Sequence, residues 1–124
     1  MCIRDRTRPG DGAPHPRAFG TYPRVLGHYV RERRVLLLEE AIRKMTSFPA
    51  ARLGLADRGV LKTGLAADIT VFDAASIADH ATFTDPHHYS VGVRYVLVNG
   101  QVTIDRGVHT GRRAGRVLRG PGAM

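Results

Sequence analysis

The apolar period changes once along this chain, and that change constrains the fold more than any other feature. Between residues 36 and 46, Leu38, Ala41, Ile42 and Met45 recur at i, i+3, i+4 and i+7, the spacing of one face of an α-helix. From residue 68 onward apolar and polar residues alternate, which is the period of a strand. Helices confined to 20–54 and strands confined to 60–119 predict an α+β chain, or pieces of two domains.

Charge order supports the helix over 36–46. Glu39 precedes Arg43 by four residues and Glu40 precedes Lys44 by four, acid before base in both pairs. Acids near its start and bases near its end also suit the helix dipole. An earlier helix is predicted over 23–33. Pro23 would sit in its first turn, with Val25, Leu26, Tyr29 and Val30 on one face and Gly27 allowing close packing. A third, shorter helix would be capped by Ser47, carry Pro49 in its first turn and stop at Gly54, packing through Ala50 and Leu53.

The strand signals begin at 68–73, with Ile69 and Val71 predicted on one face and Thr70 and Phe72 on the other. Asp73 and Ser76 favour a turn after it, with a short helical stretch at 76–80 inside a polar connection. The runs 93–98 and 101–105 flank Asn99-Gly100, the strongest short hairpin signal, because both residues tolerate positive φ. A last short strand is expected at 115–119. Pro9, Gly10, Gly12 and Pro14 make 1–13 irregular. Met1 to Arg6 fit nothing that follows and are set aside as non-native in expectation.

Composition narrows the function classes. A chain of 124 residues, 43% hydrophobic, suffices for one small domain. No run approaches the roughly 20 apolar residues that span a bilayer, and no apolar stretch resembles a signal peptide. The expectation is a soluble, cytoplasmic protein with no membrane partner. The net charge of +8 invites a nucleic-acid reading. The arginines, however, cluster at the two ends: Arg4, Arg6 and Arg8, then Arg112, Arg113, Arg116 and Arg119. Aromatic residues are only 6% and do not interleave with those clusters, as a stacking surface would require. Nucleic acid is therefore not the expected partner. Cys2 is the single cysteine, so no internal disulfide can form.

Few residues could carry chemistry. In His15-Pro16-Arg17 the prolines stiffen the backbone, and Arg17 could clamp a carboxylate through two parallel hydrogen bonds. By residues alone, a solvated loop arginine is the default. Asp11 in Asp11-Gly12 could serve as a general base, or simply make a turn. His87 and His88 are adjacent and point apart in extended chain, while His28, His80 and His109 fall in unrelated elements. A metal site needs three or four convergent ligands, so none is expected within this chain. Asp68 and Asp73 flank a strand and are read as terminating it. No phosphate loop or catalytic triad signature is present.

Glu39-Glu40-Ala41-Ile42-Arg43-Lys44-Met45-Thr46, followed by Pro49-Ala50 and Leu53-Gly54-Leu55, resembles the closing helices of an amidohydrolase barrel. Arg58-Gly59, Gly64 and Ala67-Asp68-Ile69-Thr70-Val71-Phe72-Asp73 resemble the return strand of that superfamily's small β domain, and Val93 to Gly107 its next hairpin. A narrower similarity, to the N-acyl-D-amino-acid deacylases (D-aminoacylases), rests on His15-Pro16-Arg17, Phe19-Gly20-Thr21-Tyr22-Pro23-Arg24-Val25-Leu26-Gly27, Thr110-Gly111 and Gly115-Arg116-Val117-Leu118. It extends over nearly all of 14–119.

The resemblance implies that 14–55 is the C-terminal helical part of a (β/α)8 metal-dependent hydrolase barrel. It implies that 56–120 is the C-terminal part of a composite β-sandwich domain, with 121–124 as a tail. It implies a parent that uses zinc to hydrolyse N-acyl-D-amino acids to a D-amino acid and a carboxylate. Arg17, with His15 beside it, would bind the substrate's α-carboxylate. A whole barrel needs about 250 residues, so this chain is expected to be a fragment, inactive alone, holding neither the zinc nor its ligands. Asp11 is the catalytic candidate present. The family's catalytic Asp, however, precedes His-Pro-Arg by more residues than separate Asp11 from His15, so it is expected upstream. Alternatives are an N-acyl-D-glutamate or N-acyl-D-aspartate deacylase, a cyclic amidase, or a small basic nucleic-acid-binding protein. Apolar helix stripes and a sheet edge without partners also predict a marginal or aggregation-prone isolated chain.

Overall fold

The structure, a computed structural model, describes Gly12 and residues 14–118. Asp11, the segment Met1 to Arg6, Arg119 and residues 121–124 lie outside the described residues. The chain forms two compact units. Among the described residues, one holds those up to Leu36 together with Asp73–Gly92; the other holds Leu37–Phe72 and 93–118.

The first unit is built on a helix that starts earlier than predicted. α1 runs Arg17–Arg24 and continues without a break as a π-helical segment over Val25–Glu32. Pro23 therefore lies inside the helix, not at its start. An internal proline has no N–H for the carbonyl four residues back, here that of Phe19. The Ser90 hydroxyl supplies the missing hydrogen bond, donating to the Phe19 carbonyl at 3.1 Å. Arg33 N–H reaches back five residues to the His28 carbonyl at 2.8 Å, which closes the wide turn.

Close packing of α1 on the segment 73–92 depends on Gly20 and Gly27, seven residues apart and on one face. A Cβ on Gly27 would lie 2.6 Å from the Ile77 carbonyl oxygen. Ile77 is 2% exposed, the best covered large side chain among the described residues, and Leu26 is also buried. Arg31 crosses from the π-helical segment to donate to the carbonyls of Ala74 and Ile77, at 3.1 and 2.7 Å. The helical stretch predicted at 76–80 does not form. Asp73 instead organises a turn, accepting from Ala75 N–H at 2.9 Å and from the Ser76 hydroxyl at 2.7 Å. Ala78 then pairs with Val91 in a single antiparallel bridge. An extended backbone there buries Ile77, which a helix would redirect.

The second unit contains α2 (Leu38–Met45), α3 (Ser47–Arg52) and a four-stranded antiparallel sheet of consecutive strands. These are β1 (Ile69–Phe72), β2 (Val93–Val98), β3 (Gln101–Asp105) and β4 (Val108–His109). On α2, Ala41 is fully buried, and Leu38, Ile42 and Met45 are half-buried. Of the two expected ion pairs, Glu40–Lys44 forms at 3.6 Å, whereas Arg43 meets Glu40 and not Glu39, with bonds of 2.7 and 2.8 Å. The i, i+3 spacing lets the guanidinium fork both carboxylate oxygens. On α3, Ala50 is buried, but Leu53 is 65% exposed and makes no core. Ser47 is the first helical residue and does not cap.

Asn99 and Gly100 adopt φ of 48° and 78° and turn β2 into β3 as predicted. The predicted alternation of β1 is broken. The register with β2 shifts between Val71 and Phe72, so Ile69 and Phe72 are half-buried and Thr70 and Val71 exposed. A second shift in β2–β3 leaves Thr103 buried, its hydroxyl donating to the Val96 carbonyl at 3.0 Å. Residues 115–118 form no strand; the short last strand is β4 instead. Asp68 serves as a structural terminus, as expected. It accepts the Asn99 N–H at 2.7 Å and pairs with Arg58, which also grips Asp57. No helix among the described residues is long and apolar enough to cross a membrane.

Candidate functional site

Arg17 opens α1, and the helix puts Thr21 and Arg24 on the same face, at i+4 and i+7. The first N–H groups of a helix lack intrahelical acceptors, and Pro16 has no side chain that could cap them. His15 fills that role: its Nδ1 accepts the Arg17 N–H at 3.1 Å, so a neutral His15 carries its proton on Nε2. The His15 ring is held edge-on against Phe83, centroids 5.0 Å apart. Thr21 donates its hydroxyl proton to the Arg17 carbonyl at 2.6 Å.

These residues line a half-open cleft of about 590 Å³, wholly within the first unit. Tyr29 and Phe83 provide apolar wall. Two guanidiniums face it, in different states. Arg24 is bound to Asp79 at 3.2 Å, and that hydrogen bond raises its pKa further above the usual arginine range. The Asp79 side chain is only 11% exposed. No side-chain hydrogen bond or ion pair occupies Arg17 among the described residues. A cleft with apolar walls and one uncommitted guanidinium suits an anion, a carboxylate above all, attached to an apolar body.

The structure thus brings His15 and Arg17 together. Asp11 lies outside the described residues. Sequence reasoning missed Thr21, Arg24 and Asp79. Placing the helix start at Arg17 would have revealed the shared face of the first two, but nothing local marks Asp79.

The histidines do not converge. His28 Nδ1 meets Glu32 at 2.9 Å, and this bond holds the Glu32 carboxyl below its usual range. His87 Nε2 donates to the Gly12 carbonyl at 2.8 Å, and His88 Nε2 pairs with Asp85 at 2.6 Å. No group of three metal-ligating side chains exists among the described residues. These residues do not fit a zinc ion.

A tight helix-on-segment unit, an antiparallel sheet and an arginine-headed cleft define a small α+β chain with one candidate anion-binding cleft among the described residues. The chain belongs to the Amidohydrolase family, whose sequence profile matches residues 4–104. It is 51% identical over 110 residues to the D-aminoacylase of Alcaligenes xylosoxydans xylosoxydans, covering 89% of this chain. It is 49% identical over 111 residues to the N-acyl-D-glutamate deacylase of the same organism, covering 90% of this chain. The crystal structure of a D-aminoacylase superposes with a TM-score of 0.85 at 49% identity over 89% of this chain. The chain spans only 23% and 22% of the two relatives' lengths and 23% of the crystallised chain.

Proposed function

We propose that this chain is the C-terminal portion of a metal-dependent hydrolase that cleaves the amide bond of N-acyl-D-amino acids, and that Arg17 binds the substrate's α-carboxylate. The observation that carries the reading is the Arg17 guanidinium, unpartnered among the described residues, at the cleft of a chain about half identical to D-aminoacylase. His15 holds the Arg17 backbone and so sets where the guanidinium starts. In this reading 14–55 is the closing helical part of the catalytic barrel, and 56–120 belongs to a composite β domain.

Zinc, in the parent enzyme, would activate water and polarise the amide carbonyl. The described residues do not fit the metal, and in this reading they bind and orient only. Asp11 precedes His15 more closely than the family's proton-transferring Asp does, so it takes no step here. The 49% identity to an N-acyl-D-glutamate deacylase keeps an acidic substrate as the second reading. A nucleic-acid role is the weaker alternative, because Arg24, Arg31, Arg43 and Arg58 are engaged by carboxylates or carbonyls.

The test is an NMR titration of this chain with N-acetyl-D-leucine. Amide shifts confined to the 15–29 and 79–83 segments, and lost in R17M, are expected. Shifts that survive R17M unchanged would remove Arg17 from the role. Without added polypeptide the chain should release no D-leucine, with or without zinc.

A further inference from the structure

We infer that Asp79 sets the charge selectivity of this cleft: by occupying Arg24 it leaves Arg17 as the cation open to a ligand, so a monocarboxylate fits and a second carboxylate finds no partner. The inference rests on the Arg17 reading and deepens it by naming a specificity-determining residue.

Arg17 and Arg24 lie seven residues apart on one helical face, so their Cα atoms are separated by about 10 Å along the axis. Two flexible guanidiniums at that spacing could bracket a ligand carrying two carboxylates. Asp79 prevents it. Its Oδ2 stands 3.2 Å from Arg24 Nη1, so the cleft carries one net positive charge from these three groups, not two. Asp79 is placed there by the absence of a side chain at Gly20, where even a Cβ would come within 2.6 Å of the Asp79 Cβ. An incoming second carboxylate must either displace a nearly buried Asp79 from its partner or face that carboxylate unpaired. Both routes disfavour the acidic ligand, and discrimination of this kind works by repulsion as much as by attraction. The rest of the ligand meets Tyr29 and Phe83, which reward an apolar group.

The experiment compares N-acetyl-D-leucine with N-acetyl-D-glutamate at low salt, by NMR titration of the whole chain in wild-type and D79N forms. Asn keeps the shape and the packing on Gly20 while removing the charge. Wild type should bind the leucine compound at least about fivefold more tightly. D79N should raise relative affinity for the glutamate compound by about fivefold or more, and the double variant D79N/R24M should lose that gain. Wild type binding both compounds equally, or preferring the glutamate compound, overturns the inference without needing D79N to fold. So does a folded D79N with an unchanged ratio; in both cases the Arg17 reading stands as long as R17M abolishes binding. Wild type binding neither compound overturns the Arg17 reading itself, and the selectivity falls with it.

Discussion

Gly20 and Asp79 approach so closely that a Cβ on Gly20 would lie 2.6 Å from the Asp79 Cβ. That contact joins α1 to a segment far along the chain and sets the Asp79 carboxylate against Arg24. The atom in the way is one bond from the backbone, so no side-chain rotation relieves the clash. G20A should therefore destabilise the first unit, even though Ala favours helix over Gly by about 1 kcal/mol. Overpacking costs about 1–3 kcal/mol, which leaves a net loss of up to about 2 kcal/mol. Urea unfolding measures it, and a midpoint equal to or above wild type would refute the close packing.

Ser90 donates to the Phe19 carbonyl that Pro23 leaves without a partner. S90A should cost about 1 kcal/mol, the scale of a carbonyl hydrogen bond lost in a half-buried place. P23A returns an N–H to that carbonyl. In the P23A background S90A should therefore cost less, and a double-mutant cycle with no coupling would show that the two groups do not share the carbonyl.

Arg43, by its forked hydrogen bond, holds the Glu40 carboxyl at about 2 against 4.5 for the free side chain. A carboxyl whose pKa is lower in the fold contributes stability above the unfolded value and loses it as pH falls. Glu40 should thus stabilise the second unit above pH 4.5 and stop doing so as pH drops towards about 2. The effect is modest because the pair is exposed. Melting temperatures of wild type and E40Q should converge across that window. A difference that stays constant down to the acid end would contradict the pairing.

Gly100 turns β2 into β3 at a φ of 78°, with open space around it. G100A meets no clash, so its cost is conformational alone, about 1 kcal/mol. Amide exchange in β2 and β3 should accelerate while that of α1 stays as it was. Equal acceleration in both would mean that the turn is not a local feature.

Zinc titration gives a further check. His28, His87 and His88 are each taken up singly, by Glu32, the Gly12 carbonyl and Asp85. Micromolar zinc should leave the spectra of both units unchanged. Saturable, one-to-one shifts at His87 and His88 would reveal a site that the structure does not assemble.

How much was legible depended on how local each interaction is. α2, its charged face and the Asn99-Gly100 hairpin follow from neighbours within a few residues, and the structure bears them out in position. The partner choice of Glu40 was already finer than the pattern: i+3 and i+4 both lie within reach, and the forked geometry with Arg43 decided. Pro23 was read as a helix start because its missing N–H is harmless there. Inside α1 its missing bond is replaced by Ser90, 71 residues from Phe19. Nothing near Pro23 announces that.

The sequence by itself determined the α+β order, the main helix of the second unit, the hairpin and the singling out of His15 and Arg17. Periodicity, turn chemistry and short-range charge act between residues adjacent in the chain. Only the tertiary structure decided where α1 begins, how β1 is bulged, and that Asp79 closes on Arg24 across 55 residues to leave Arg17 open. Those outcomes depend on which surfaces meet. A glycine that lets two backbones touch, or a carboxylate that neutralises one arginine and not another, acts through space, and sequence order carries no record of that distance.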